Sequence, residues 1–277
     1  MDNFKLPSEI SPEKWPAPEV FIEEAEECVQ VAREKGIVIR VMGGLAIYLH
    51  CQNFKDLWKK LGRLGKKIFT DIDYVSYGKH RVKLMKLFEQ RGFTINQQML
   101  YHYGKTRQIY YGEKVPMAEI FFDRLMMNHT IPYNKRLEED FPTTPLAELL
   151  LQKVQMVRMN EKDIKDTIIL LRSHDIGSDD KEKINKLVIG ASLLKDWGFY
   201  YTATGNLKKI GESLQRYEVL APEDRQAVRD RIDELLDYLE KEPKGGKWKI
   251  RAKVGRKIKW YKEVDEWDVI PPPEETV

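Results

Sequence analysis

Cysteine is scarce in this chain, which has only Cys28 and Cys51 among 277 residues and no Cys-x-x-Cys pair. A disulfide framework and a structural zinc site are therefore not expected, and a reducing cytoplasm is the predicted compartment. The histidines are also few and lie far apart, without the spacing of metal ligands. We predict ordinary structural roles for all of them: His50, His80, His102, His129 and His174.

Long apolar runs and a strong charge of one sign are absent as well. No segment approaches the roughly 20 apolar residues of a membrane span, so no membrane partner is expected. Residues 1–18 carry acidic residues and prolines where a signal peptide would need an apolar run. The net charge of +3 is too small to indicate a polyanionic partner by itself. Any nucleic-acid-binding surface must therefore be local.

The apolar spacing changes character near residue 143. Before it, helices predicted at 19–35, 45–61 and 79–91 alternate with strands at 37–42 and 68–77, and further strands follow at 93–99, 106–111 and 114–122. After it, the pattern is helical. The sequence predicts an α/β (α+β) fold with a mixed sheet, divided into an arm (1–18), an α/β domain (19–142), a helical domain (143–243) and a basic β-hairpin (244–270).

Two carboxylates occur at alternate positions of the second predicted strand, in the segment TDIDYV. Side chains at i and i+2 of a strand point to the same side, so Asp71 and Asp73 should lie together. Neighbouring carboxylates repel unless a cation bridges them, and oxygen ligands suit Mg²⁺. A solvated strand edge is the alternative, but the apolar residues Ile68, Ile72 and Val75 argue against it.

A third carboxylate is expected on a nearby strand. In the segment MAEIFFD, Glu119 lies within an apolar run where an unpaired acid would be costly. Asp123 lies at the end of the same strand, where a solvated acid is unremarkable. We therefore predict that Glu119 completes the site with Asp71 and Asp73, and Asp123 stays the alternative.

A glycine pair connects the first predicted strand to the next helix. Gly43 and Gly44 would let the backbone approach a ligand and would place a helix N-terminus beside it, as phosphate sites require. Such a pair is more often only a tight turn. On its own, this motif does not decide between the two.

Three charged residues stand out in the first helices of the second half. Lys153 falls inside an apolar helical stripe, where it must either extend to solvent or meet an anion. Asp163 is one turn before Asp166, in a helix that Asn160 can cap. Asp163 thus has a purely structural explanation as a first-turn acid, whereas Asp166 has none.

Together these motifs, GGLAIYL (43–49), TDIDYV (70–75), ELLLQK (148–153) and KDIKD (162–166), resemble the polymerase-β-type nucleotidyltransferase superfamily. The resemblance is greatest to the branch that includes the AbiE-type abortive-infection toxins, and it covers residues 38–172. The chain departs from that pattern in a longer spacer before Asp71, in Leu45 where a serine or threonine is usual, and in a glutamate as third acid.

The resemblance implies a Mg²⁺- or Mn²⁺-dependent enzyme that transfers a nucleoside monophosphate from an NTP to an acceptor hydroxyl by two-metal catalysis. It implies that Asp71, Asp73 and Glu119 hold the metal and that Gly43 and Gly44 hold the triphosphate. It also implies that Lys153 meets the phosphates, with Asp163 and Asp166 supporting it. An antitoxin would be a conceivable protein partner, but no sequence feature indicates one.

A basic segment without acids follows Pro243, with tryptophans between its cations. Phosphates could meet the cations and bases could stack on the rings, so RNA such as tRNA is the predicted acceptor. The predicted contacts are Lys249, Arg251, Lys257 and Lys259. A solvated hairpin that covers the helical domain explains the segment equally well.

Two other functions remain open from the sequence. The chain could be a catalytically inactive protein that keeps this fold and binds nucleic acid, if Glu119 cannot reach the pair. It could also transfer a nucleotide to a small molecule, as enzymes that inactivate antibiotics do.

Overall fold

The computed structural model describes residues 6–63 and 68–264. The strands in this part of the chain are β1 Ile39–Val41, β2 Ile72–Ser76, β3 Thr94–Ile95, β4 Arg107–Tyr111, β5 Met117–Phe122, β6 Arg124–Met126, β7 Thr130–Pro132, β8 Ile176–Gly177 and β9 Ile184–Asn185. The helices are α1 Pro18–Glu34, α2 Gly43–His50, α3 Lys55–Lys60, α4 Arg81–Gln90, α5 Gln97–Tyr103, α6 Leu146–Val154, α7 Glu161–Ser173, α8 Lys186–Leu193, α9 Trp197–Ser213, α10 Pro222–Lys241 and α11 Gly246–Val254.

The central sheet has five strands in the order β1-β2-β5-β4-β3. Strands β2 and β5 are parallel, and the other neighbouring pairs are antiparallel. The mixed sheet and the many helices confirm the predicted α/β (α+β) class.

The two faces of this sheet differ because side chains alternate along each strand. One face is apolar and packs on helices: the Phe88 ring of α4 lies 5.7 Å from the ring of Tyr74 and 4.6 Å from that of Tyr110. The charged side chains of β2 and β5, Asp73 and Glu119, belong to the other face. The apolar face thus fixes the strands that carry the charged residues.

Helix α6 is the centre of the second half. All of its residues are buried, and it contacts α2, α7, α8 and α9. The apolar core is continuous between the sheet and these helices. The division at residues 142 and 143 stays a prediction.

The predicted basic β-hairpin is wrong for the residues that the structure describes. The segment forms α11, followed by a 3₁₀ turn at Gly255–Lys257. Trp248 and Ile250 alternate as in a strand, but the contacts have helical spacing: Trp248 packs on Tyr200 of α9, and Arg251, three residues later, lies over Trp197. Gly255 has φ 58° and ends the helix instead of turning a hairpin. Residues 265–270 of the predicted hairpin lie outside the described residues, as do residues 1–5 of the predicted arm.

The strand predicted at 93–99 is also wrong in its second half. Only Thr94–Ile95 is strand, and α5 follows because the Asn96 side chain accepts a hydrogen bond from the Met99 backbone nitrogen at 2.9 Å. This is an N-cap, which competes with strand extension. Within the described ranges, no helix has both the length and the apolar character needed to cross a membrane.

Candidate active site

Asp71 and Asp73 line one small recess at the start of β2. Asp71 directly precedes the strand and Asp73 is its second residue. The start of α2 and the loop before β2 form the other walls, and the lining includes Gly44, Leu45, Arg63, Thr70, Asp71 and Asp73. The alternation expected from the sequence therefore brings both carboxylates to one recess.

Gly43 makes the close approach between α2 and Asp73. Its φ is 68°, and a Cβ at this position would lie 2.7 Å from Asp73 Oδ2. Its backbone nitrogen donates to the Gln152 side chain at 2.9 Å. The N–H of Gly43 is thus engaged by α6, so its contribution is the room that it leaves for Asp73.

The Asp73 carboxylate is electrostatically unusual. Desolvation, and next the charge of Asp71, raise the pKa of Asp73 to about 7, although Lys153, Arg107 and Arg63 act in the opposite direction. An acid held against a second acid in a desolvated recess is a group that a divalent cation would stabilise.

Glu119 lies beside Asp73 on the neighbouring strand. The parallel pairing of β2 and β5 sets Asp73 directly against Glu119. The Glu119 carboxylate forms an ion pair with Arg107 of β4, whose guanidinium also lies 5.3 Å from the centre of the Phe121 ring. Glu119 as a third metal ligand stays a prediction, and that role would require it to leave Arg107.

Asp123 is engaged elsewhere. It follows β5 with φ 64°, and its Oδ1 accepts a hydrogen bond from the Gly78 nitrogen at 2.9 Å. This contact joins the end of β5 to the turn before α4. Asp123 therefore holds a loop, and the strand register pairs Glu119 with Asp73.

Lys153 meets two acids of α7. Its Nζ lies 3.1 Å from Asp163 Oδ1 and 2.9 Å from Asp166 Oδ2, and the lysine is buried. Asp166 also binds Arg63, at 2.6 Å from Nε to Oδ1. Among the described residues, Lys153 does not line the recess; it is connected to it through Asp166 and Arg63. Lys153 as a phosphate ligand stays a prediction.

Three residues of this region were missed from the sequence: Arg63, Arg107 and Gln152. Gln152 accepts from the Gly43 nitrogen and donates to the Tyr133 hydroxyl at 2.9 Å. Its position on the fully buried α6 is the one signal that the sequence offers, because a buried amide needs partners. Arg63 and Arg107 acquire their roles only through tertiary contacts.

The donor set fits a hard divalent cation of the Mg²⁺ class. Such an ion binds through one or two carboxylates and completes its shell with substrate phosphates and water. Asp71 and Asp73 supply two carboxylates in one recess. No group of three or more His, Cys, Asp or Glu side chains suited to a metal occurs within residues 6–63 and 68–264. The fit therefore rests on the pair.

No family model matches this chain, and a search of curated proteins gives no match either. Among solved structures, the chain is similar to a crystal structure described as that of an antigenic nucleotidyltransferase-like protein from Paracoccidioides brasiliensis. The sequence identity is 14%, the TM-score is 0.37, and the match covers 68% of this chain and 94% of that chain. A TM-score this low carries no weight for the chemistry of the site, and the resemblance to the AbiE-type branch stays a prediction.

Gly43→Ala is expected to disturb the site more than the fold. The new Cβ would displace Asp73, in addition to the cost of about 1–2 kcal/mol for a left-handed backbone conformation. Gly36→Ala is the matched control, because Gly36 has φ 65° and nothing within 4 Å of an added Cβ. Urea denaturation should show a larger loss of stability for Gly43→Ala, and calorimetry should show weaker Mg²⁺ binding in that variant alone. Equal behaviour of the two variants would mean that the close approach to Asp73 is unimportant.

Proposed function

We propose that this protein is a metal-dependent nucleotidyltransferase that moves a nucleoside monophosphate from an NTP to an acceptor hydroxyl. The observation that carries the proposal is the recess in which Asp71 and Asp73 face the Gly-Gly start of α2. Paired carboxylates beside a helix N-terminus suit a metal–polyphosphate complex, because the carboxylates attract the cation and the helix dipole favours the phosphates.

Each residue of the site has a part in this proposal. Asp71 and Asp73 hold Mg²⁺ or Mn²⁺, and Glu119 joins them after exchanging its ion pair with Arg107. Two such ions, when bound, would supply polarisation of the α-phosphate and activation of the acceptor oxygen. Gly43 and Gly44 keep the backbone close to the triphosphate, and Lys153 contributes positive charge behind the recess.

Calorimetry with Mg²⁺ and a non-hydrolysable NTP analogue tests the proposal. The wild-type protein is expected to bind the analogue only when the metal is present. The Asp71→Asn, Asp73→Asn double variant should bind it at least ~10-fold more weakly, a loss of about 1.4 kcal/mol. Unchanged binding in the double variant would remove both residues from the proposed site.

We further propose RNA, such as tRNA, as the acceptor, on the basis of the basic surface of α11 and the turn that follows it. Lys249 and Lys253, one helical turn apart, are exposed, and so is Lys257. Arg251 is different: it donates to the carbonyl oxygens of Gly255 at 2.6 Å and Ile258 at 2.8 Å. Lys259 forms an ion pair with Glu263. The exposed lysines are thus the better candidates for phosphate contacts, and Arg251 stabilises the segment.

Changing Lys249, Lys253 and Lys257 to glutamine should weaken tRNA binding at low salt. The dependence of log K on log salt concentration should become shallower by about 2, since each lost phosphate contact on a single strand removes ~0.7. NTP binding should stay unchanged. Filter binding at several salt concentrations measures this. If the slope does not change, the acceptor docks elsewhere, and a small-molecule acceptor becomes the better proposal.

The ion pair between Glu119 and Arg107 favours a second candidate, a catalytically inactive protein of this fold that binds nucleic acid. In that case Glu119 would keep Arg107 as its partner, and Mg²⁺ would not change the nucleotide affinity. The same calorimetric titration, run with and without Mg²⁺, separates the two candidates.

A further inference from the structure

Arg63 is the only cation among the described residues that line the recess of Asp71 and Asp73. It lies in the loop after α3, before the strand that carries the acids. Its guanidinium forms no ion pair within 4 Å with Asp71 or Asp73; its ionic partner among the described residues is Asp166. The recess therefore contains one positive group whose charge the two site acids do not directly neutralise.

Asp166 fixes the position of this guanidinium. Its carboxylate has no exposed surface, and its Oδ1 accepts from Arg63 Nε at 2.6 Å and from Trp58 Nε1 at 3.2 Å. Lys153 lies against the other oxygen, Oδ2. Arg63 Nη1 donates to the Ile68 carbonyl oxygen at 3.1 Å. With these contacts the arginine is held before any ligand arrives, which lowers the entropy lost on binding.

The remaining nitrogen, Nη2, lies against Gly44. A Cβ on Gly44 would be 2.2 Å from Nη2 and 2.7 Å from the guanidinium carbon, so only glycine admits the arginine here. Nη2 has no hydrogen-bond partner among residues 6–63 and 68–264. It is thus a donor at the lining of the recess, beside the first turn of α2.

We propose that Arg63 binds the polyphosphate of the NTP and that Asp166 is its positioning residue, an inference that rests on the proposed nucleotidyl transfer. A guanidinium suits this task because its planar N–H groups match phosphate oxygens and its charge persists at every physiological pH. Lys153 then serves mainly to balance the charge of Asp166 on the side away from the recess. Gly44 serves to make room for the arginine.

The test compares NTP, NDP and NMP affinities, with Mg²⁺ present, in wild type and Arg63→Gln. The variant should bind NTP about 10-fold or more weakly, as expected for the loss of a charge-assisted hydrogen bond. Its NMP affinity should change less than about twofold, because the lost contact is to the polyphosphate. Arg63→Lys, which keeps the charge but not the fork, should recover part of the NTP affinity.

Two further variants separate binding from folding. Trp58→Phe removes a hydrogen bond to Asp166 without changing a charge and should leave all three affinities as in wild type. If Arg63→Gln does not fold, the double variant Arg63→Gln, Asp166→Asn removes both charges of the pair together, while Lys153 keeps Asp163. The double variant should show the same selective loss of NTP affinity.

The outcomes are distinct. Equal NTP affinity in wild type and the Arg63 variants overturns the role of Arg63 and leaves the proposed function standing. A loss of the same factor for NTP, NDP and NMP also overturns it, because a merely structural role would act on all three ligands. If the wild-type protein binds no nucleotide with Mg²⁺, both the proposed function and this inference fail.

Discussion

Replacing Asp73 by asparagine is expected to slow NTP-dependent transfer at least ~10³-fold, which corresponds to about 4 kcal/mol of transition-state stabilisation. The change removes one of two carboxylates in the recess and leaves the size of the side chain almost unchanged. Because the site depends on the pair to hold its cation, the remaining acid should not suffice. The rate of label transfer from an NTP, compared at equal protein concentration, measures the effect.

Asp123→Asn is the matched control for this prediction. Asp123 is an acid of the adjacent strand end that binds the Gly78 nitrogen, and asparagine tolerates its φ of 64°. The Asp123 variant should keep most of the activity. A loss equal to that of Asp73→Asn would move the third acid from Glu119 to Asp123.

Replacing Asp166 by asparagine is expected to lower the free energy of unfolding by about 3–5 kcal/mol. The change leaves Arg63 and Lys153 in the protein interior without the charge that they share. Asp163→Asn is the control, since Asp163 is 13% exposed and contacts Lys153 alone at 3.1 Å. It should cost less than about 1 kcal/mol, as partly exposed ion pairs do. Urea denaturation of the two variants gives both values.

The pH dependence of this stability difference follows from the pKa of Asp166. Burial would raise that pKa, but the charges of Arg63 and Lys153 outweigh it and lower the pKa to about 2. The stabilisation is therefore fully present above the ordinary carboxyl pKa of about 4 and is lost as pH falls towards 2. The difference between wild type and Asp166→Asn should be constant from pH 8 to about pH 5. A difference that already shrinks across that range would contradict the buried ion pair.

The positions of Asp71, Asp73 and Glu119 could be predicted from the sequence because they follow from local periodicity. Alternation along a strand brings Asp71 and Asp73 to one side, and an acid within an apolar strand needs a partner. Both rules concern a single strand. They did not supply the identity of the Glu119 partner, Arg107, because that depends on β4 lying beside β5.

Periodicity misled the prediction for α11. Aromatic and aliphatic residues at alternate positions favoured a hairpin, yet lysine, arginine and alanine are good helix formers. Trp248 and Arg251 contact α9, and this packing decides the conformation. Tertiary contacts thus overrode the alternating pattern.

Arg63 shows a different limit of the sequence. It lies in a polar loop, where an arginine is usually solvated. Its importance arises because Asp166 of α7 and Gly44 of α2 approach the same point in space. Such a convergence of three segments leaves no local pattern to detect.

The most direct test of the central claim is a comparison of NTP labelled at the α-phosphate with NTP labelled at the γ-phosphate, with Mg²⁺ and total tRNA. Nucleotidyl transfer predicts that the α label appears in the RNA while the γ label is released as pyrophosphate. The Asp71→Asn, Asp73→Asn double variant should transfer neither. Incorporation of the γ label, or transfer that persists in the double variant, would contradict the account.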